Sequence, residues 1–212
     1  MTDAPAETLR RQLEFLAELD ALKSVLRQSP LANRSRRENS AEHSWHLAMF
    51  ALVLAEHAAE PIDPGRVVAL LLLHDIVEID AGDAPIHATA NDGTAPDRAS
   101  LARASLARAE QAAAERLFGL LPADQGARFL ALWQEFEAAA TPEARFARAL
   151  DRLQPLLLNT LAGGGTWTEN GVTEAQVAER YGPAIRGGSP RLWQAAAALV
   201  RRHFAATSGS EA

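Results

Sequence analysis

The chain has 212 residues, 48% of them apolar, and contains no cysteine. That is enough for one domain with a sizeable core, and it excludes disulfides, thiolate nucleophiles and Cys-ligated zinc. A net charge of −6 argues against a protein that coats nucleic acid, and no apolar run approaches the roughly 18 residues needed to span a bilayer. Residues 1–7 carry neither a basic nor an apolar leader region, so the expected location is cytoplasmic.

Alanine and leucine dominate the apolar set and favour helix. Read in chain order, the pattern predicts about eight helices and no strand. Leu9, Leu13, Leu16, Leu19 and Leu22 recur at helical spacing, and Val25 and Leu26 continue the stripe. Residues 29–40 are polar and basic, hold Pro30, Asn33 and Asn39, and read as a loop. Ser40 is placed to cap a helix running to Ala59. Asp63-Pro64 gives a cap and then proline at the first helical position, opening a helix over 64–80 that ends before Gly82. Residues 83–97, with Pro85, Asn91-Asp92-Gly93 and Pro96, read as a loop. An Ala-rich helix follows to Leu117 and stops near Gly119. Pro122 begins another, carrying Leu130, Trp133 and Phe136. Thr141-Pro142-Glu143 starts a helix that runs through Asp151 to Leu161 and ends at Gly163-Gly164-Gly165. Thr173-x-x-Gln176 is a capping box, and Ser189-Pro190 opens a last helix to Phe204. The fold class expected is all-α: a single helical bundle over 1–212, with its core over 9–160, a C-terminal helical extension over 161–206 and a disordered tail over 207–212.

The chemistry concentrates at His74-Asp75, which closes the apolar run 67–73. A helix this apolar is buried on most sides. A buried carboxylate needs a positive partner, and imidazole beside carboxylate is a ready ligand pair for a divalent ion. Three segments compete to complete such a site. His43 lies in the first turn of its helix. His74-Asp75 is the second. Asp151 is the third, set in the apolar stripe 147–156, where Pro155 cannot donate a hydrogen bond to the carbonyl of Asp151. Glu78 is four residues from His74 and three from Asp75, on their face, placed to hold a water that the ion acidifies. Arg27, Arg34, Arg36 and Arg37 precede His43. In an acidic protein, such a cluster at a site mouth reads as an anion clamp. His46 reads as a satisfied histidine or pocket wall, and His57 and His203 as surface or packing residues. His87 reads as a loop residue outside the ligand set. Trp133 and Trp193 read as core or dimer contacts, and Trp167 as core or pocket lining.

These residues carry a resemblance. His43, the downstream His74-Asp75 pair and the distant Asp151 are flanked by Arg36-x-Glu38-Asn39-Ser40-x-Glu42-His43-Ser44 and His74-Asp75-x-x-Glu78-x-x-x-Gly82-Asp83. Over residues 9–160 the chain resembles the HD-domain superfamily of metal-dependent phosphohydrolases, and within it the branch of bacterial 5'-deoxynucleotidases. The resemblance implies that His43, His74, Asp75 and Asp151 bind one divalent ion, drawn from Mn, Co, Zn, Fe, Ni or Mg. It implies that Glu78 positions or activates the attacking water, that Asp83 lies near a sugar, and that Arg27, aligned with a one-residue gap, binds phosphate. Gln28 and Ser29 stand where the nucleotidases have an aromatic residue after that arginine.

The implied activity is hydrolysis of small phosphomonoesters, nucleoside (deoxy)5'-monophosphates first, by attack of a metal-bound water. Two other functions compete. One is a di-iron oxygenase on the same scaffold, which needs further histidines near the pair, with His87 alone downstream within reach. The other is a non-catalytic nucleotide-binding sensor. The expected partners are a small phosphorylated substrate and a second copy of the chain, with no nucleic acid and no membrane. The apolar stripe 195–200 beside Trp193, and the helix carrying Trp133 and Phe136, supply the expected homodimer surface.

Overall fold

The structure is a computed structural model and describes residues 4–84 and 96–208. Helix α1 (Ala4–Glu18) continues into a 3-10 turn over Leu19–Ser24. Strands β1 (Leu26–Pro30) and β2 (Arg37–Asn39) form an antiparallel hairpin, with Leu26 opposite Asn39 and Pro30 opposite Arg37. Then come α2 (Ser40–Leu54), a 3-10 turn over Ala55–His57, α3 (Pro64–Leu73) and the short α4 (Glu78–Ala81). The second half consists of α5 (Pro96–Phe118), α6 (Ala123–Ala138), α7 (Pro142–Leu161), the short α8 (Thr166–Glu169), α9 (Glu174–Gly188) and α10 (Pro190–Ser208).

The caps explain where the helices start. Asp63 accepts from the Gly65 amide with Pro64 at the first helical position, and Thr141 accepts from Ala144 with Pro142 in the same role. Thr173 and Gln176 close a reciprocal capping box. Helix α7 runs through the middle and packs against α2, α3, α6, α9, α10 and β1. Its Phe146, Leu150 and Leu156 are fully buried. The larger core cluster joins these residues to Leu47 of α2, Leu70 of α3, Ile185 of α9 and Val200 of α10. A second cluster joins Phe15, Ile76, Leu117, Phe118 and Trp133. Among the described residues, no helix is long and apolar enough to cross a membrane.

The all-helical class holds, and the departures from the sequence reading are local. Part of the segment read as a loop over 29–40 is the hairpin. Its turn is closed by the Leu31 amide on the Arg36 carbonyl and passes through Arg34 at φ 60°. The cap of α2 is Asn39, with Glu42 completing a capping box, and not Ser40. Helix α2 also ends at Leu54, short of Ala59. The helix expected over 64–80 breaks at residues 74–77. There the amides of Ile76, Glu78 and Ile79 bond three residues back rather than four, the tighter winding of a 3-10 turn. Gly82 at φ 75° ends the segment, as its position predicts. Helix α10 runs to Ser208, beyond Phe204 and into the expected tail. Of the loop expected over 83–97, residues 85–95, with His87, lie outside the described residues, and Pro96 already begins α5.

Candidate metal centre and active-site cavity

His43 enters from the first turn of α2, whose start the Asn39–Glu42 box fixes. Its Nδ1 lies 3.1 Å from Gln154 Oε1 and 3.2 Å from Glu38 Oε2. Gln154 Nε2 donates to Glu38 Oε1 at 2.6 Å, so the three side chains brace one another. His74 Nδ1 lies 2.8 Å from the Leu71 carbonyl. A carbonyl can only accept, so Nδ1 carries the proton and Nε2 of a neutral ring offers its lone pair.

Both Nε2 atoms face the same carboxylates. His43 Nε2 is 3.2 Å from Asp151 Oδ1 and 3.9 Å from Asp75 Oδ2. His74 Nε2 is 3.0 Å from Asp75 Oδ1 and 3.7 Å from Asp151 Oδ1. One ligand atom each from His43, His74 and Asp75 lies within 4.8 Å of the others, and all three residues are buried. His74 Nε2 is a buried atom with no hydrogen-bond partner. An orphaned ring nitrogen amid converging carboxylates is the donor set a divalent ion takes, so the residues present fit such an ion.

The electrostatics agree. Burial opposes charge on His74, yet Asp75 and Asp151 raise its pKa to about 10. Burial would raise Asp75, but His74 and Arg27 pull it down to about 2. Asp151 is held well below its ordinary range, against burial, by Arg152, His43 and His74.

Glu78 stands beside this centre. Its Oε2 accepts from Ser40 Oγ at 2.5 Å. Burial and the charge of Asp75 raise it to about 8, partly offset by Arg27. The 3-10 winding contributes here, because residues three apart eclipse in such a turn, and this stacks Glu78 over Asp75. Arg27 reaches in from β1, with Nη1 2.7 Å from Asp75 Oδ2, 3.7 Å from Glu78 Oε1 and 3.9 Å from Asp83 Oδ1. Its Nε is 3.8 Å from Glu38 Oε2. Asp83 accepts from the Gln28 amide at 3.3 Å, and burial raises its pKa.

These groups line a cavity of about 400 Å³. Arg27, Gln28 and Ser29 form one wall. His74, Asp75, Glu78 and Asp151 line it as well, together with Arg148 and Arg152 of α7. Arg36 and Arg37 are not among the lining residues. Arg36 forks onto Glu42, and Arg37 pairs with Glu169 at 2.8 Å and bonds the Gln28 carbonyl. Of the arginine cluster upstream of His43, the cavity therefore takes Arg27 alone. The sequence reading missed Arg148 and Arg152, whose spacing of four around Asp151 was the available signal. It also missed Ser40 as the partner of Glu78. His46 Nδ1 sits 3.2 Å from Gln154 Nε2, a partnered histidine as read. Trp133 and Phe136 are buried at the cavity and in the core, and Trp167 is core.

Two imidazoles and two carboxylates buried at the base of a polar cavity, in an all-helical bundle, define a divalent-metal centre. The chain belongs to the HD domain family, whose sequence profile matches residues 19–193. It is 31% identical over 150 residues to 5'-deoxynucleotidase HDDC2 of Bos taurus and 29% identical over 150 residues to that of Homo sapiens. Each alignment covers 70% of this chain, and the chain spans 66% of the length of these curated relatives. The crystal structure of a predicted metal-dependent phosphohydrolase from Magnetospirillum magnetotacticum MS-1 matches it with a TM-score of 0.83 at 50% identity, covering 93% of this chain and 96% of the other.

Proposed function

We propose that this chain is a metal-dependent phosphomonoesterase of small phosphorylated molecules, with nucleoside (deoxy)5'-monophosphates as the first substrate class. One observation carries the reading. Two Nε2 atoms and two carboxylates converge at the base of a cavity, and the next group along is a buried, polarised acid, Glu78. The nucleotide class is supported by relatives that bear the name 5'-deoxynucleotidase.

In this reading His43, His74, Asp75 and Asp151 hold one divalent ion. A bound ion supplies a Lewis acid for the phosphoryl group and lowers the pKa of water. Ser40 fixes Oε2 of Glu78, which leaves Oε1 to take the proton of the attacking water. The water oxygen bonds phosphorus, the P–O ester bond breaks, and the proton taken by Glu78 passes to the leaving alkoxide, giving an alcohol and inorganic phosphate. Glu38 and Gln154 keep the His43 ring from turning, and Asp83 at the cavity edge is available to a sugar hydroxyl. A phosphate-release screen over nucleotides and sugar phosphates, with several divalent metals, tests this. No release from any phosphomonoester with any metal would refute it.

We also propose a cytoplasmic homodimer with one complete site per chain. A groove of about 430 Å³ between α2, α7 and α10 is lined by Met49, Val53, Leu157 and Leu199, with His46 its one polar lining residue. Its lining carries no formal charge, so two acidic copies would not repel one another there, and a two-fold pair is the commonest homo-oligomer. In this proposal the interface lies on α2 and α10, since Trp133 and Phe136 are buried. Light scattering at micromolar concentration decides it: a mass near 22.8 kDa is the monomer and refutes the dimer.

A further inference from the structure

Two buried atoms beside the cavity lack a hydrogen bond, and they face each other. Arg27 Nε and Glu38 Oε2 stand 3.8 Å apart, and neither has a hydrogen-bond partner among the described residues. Leaving a charged donor and a charged acceptor unsatisfied inside a protein is costly, and closing this gap needs a shift of only about 1 Å. The one hydrogen bond that the guanidinium makes among the described residues runs instead from Nη1 to Asp75 Oδ2, at 2.7 Å. Asp75 is also a candidate metal ligand. Once Asp75 holds an ion its charge is shared, and Arg27 needs a second anchor to stay in place.

Glu38 is built to be that anchor. It is buried on β2, beside the strand that carries Arg27. Its Oε1 accepts from Gln154 Nε2 at 2.6 Å, and its Oε2 lies 3.2 Å from His43 Nδ1. Its place is therefore set from α7 and α2, not by the hairpin alone. A guanidinium has five N–H donors in a fixed fork. With Nε on Glu38, the Nη1 and Nη2 end is left for an anion, the geometry of a bidentate phosphate contact.

We propose that Glu38 is a positioning residue for phosphate binding: it seats Arg27 through Nε, so that Nη1 and Nη2 leave Asp75 and turn to the phosphoryl oxygens. Through Gln154 and His43 the same carboxylate ties that seat to the metal centre. The proposal rests on the phosphohydrolase reading, in which Arg27 receives the phosphate. The test titrates inorganic phosphate into the metal-loaded full chain by calorimetry, with metal content and the KM and kcat of the best phosphomonoester measured alongside.

Glu38→Gln keeps an oxygen for Gln154 but loses the charge that Nε faces. Phosphate binding should weaken by about tenfold or more, as for a lost charged hydrogen bond. KM should rise in step, kcat should change less, and metal content should stay at one ion per chain. Arg27→Gln should weaken phosphate binding at least as much. Adding Glu38→Gln to it should cost little more, since one residue acts through the other. Glu169→Gln releases Arg37 of the hairpin from α8 and should leave phosphate binding unchanged.

Phosphate affinity within twofold of wild type in Glu38→Gln overturns the proposal. So does loss of the metal in that variant, which would make Glu38 a support for His43 alone. Losses that multiply in the double variant also overturn it, as does a wild-type chain that binds no phosphate. An equal loss in Glu169→Gln does the same, because the hairpin would merely have loosened. The phosphohydrolase reading fails separately. A wild-type chain that binds phosphate through Arg27 and Glu38 but hydrolyses nothing refutes the enzyme and keeps the seat. Hydrolysis with a KM untouched by Glu38→Gln refutes only the seat.

Discussion

The cavity is bounded by two unlike walls. On one side stands α7, a 20-residue helix capped by Thr141 and buried along the face that carries Leu150, Asp151, Gln154 and Pro155. On the other stands the hairpin of β1 and β2, eight residues in strands, tied to the bundle largely by polar contacts such as Arg37 to Glu169. The helix cannot move without disturbing the core clusters it packs against, and close-packed interiors resist such shifts. It is therefore the wall on which metal geometry can be fixed to a fraction of an ångström. The hairpin buries Glu38 against Gln154 but leaves Gln28 exposed, and exposed segments on a rigid scaffold are where specificity is usually carried. In this division of labour, substitutions on the helix side and at His74-Asp75 act on the metal, and those on the hairpin side act on the substrate.

The largest expected effect tests the metal side. Asp75→Ala removes a charged ligand and leaves no nearby substitute, so bound metal and activity should both vanish. Elemental analysis that finds a full ion per chain would break the assignment. Next is Glu78→Gln, which should retain the metal and lose about 10²- to 10⁴-fold in kcat, the range for an acid–base group. Loss of metal instead would move Glu78 into the ligand set.

Gln154→Leu sharpens the comparison, because Gln154 braces His43 from the helix wall. It should weaken metal binding by about 10- to 100-fold. It should also cost about 1–3 kcal/mol in chemical denaturation, since the Glu38 carboxylate loses its donor inside the protein. Glu38→Gln on the hairpin side keeps an oxygen for Gln154 and should do less on both measures. Equal effects would mean that the walls do not differ. The smallest change should come from Arg36→Ala. It breaks an exposed pair with Glu42, and such pairs contribute little. Metal content and the melting temperature should stay at the wild-type values within error.

Much of the helix side was legible beforehand. Asp63-Pro64, Thr141-Pro142 and Thr173-x-x-Gln176 are local chemistry, and the structure uses each as a cap. The candidate ligands were legible because His74-Asp75 closes an apolar run, Asp151 interrupts an apolar stripe, and His43 stands in the first turn of its helix. The hairpin was not legible. Its strands are five and three residues long, and Leu-Arg-Gln-Ser-Pro and Arg-Glu-Asn show no apolar alternation. What makes them strands is pairing to each other and docking against α7, which no window of sequence contains. The break in the third helix was hidden for the opposite reason. Its apolar pattern runs on through Ile76 and Val77, with no glycine or proline to mark where the winding tightens. Arg148 and Arg152 looked like ordinary solvated arginines, because the cavity that gives them a role is closed partly by residues far away in the chain.

The three glycines after α7 bear on how this protein could be redesigned. All three have positive φ, and a Cβ on Gly165 would stand 2.4 Å from Asn159 Oδ1. That oxygen holds the amide and hydroxyl of Thr166 at the cavity. Gly165, Asn159 and Thr166 can therefore be exchanged only as a set, and single-site libraries there should return mostly unfolded or inactive clones. Gln28 is exposed and sits on the hairpin wall of the same cavity. It offers directed evolution a position where side chains can be traded one at a time, so altered substrate preference should be recovered there first.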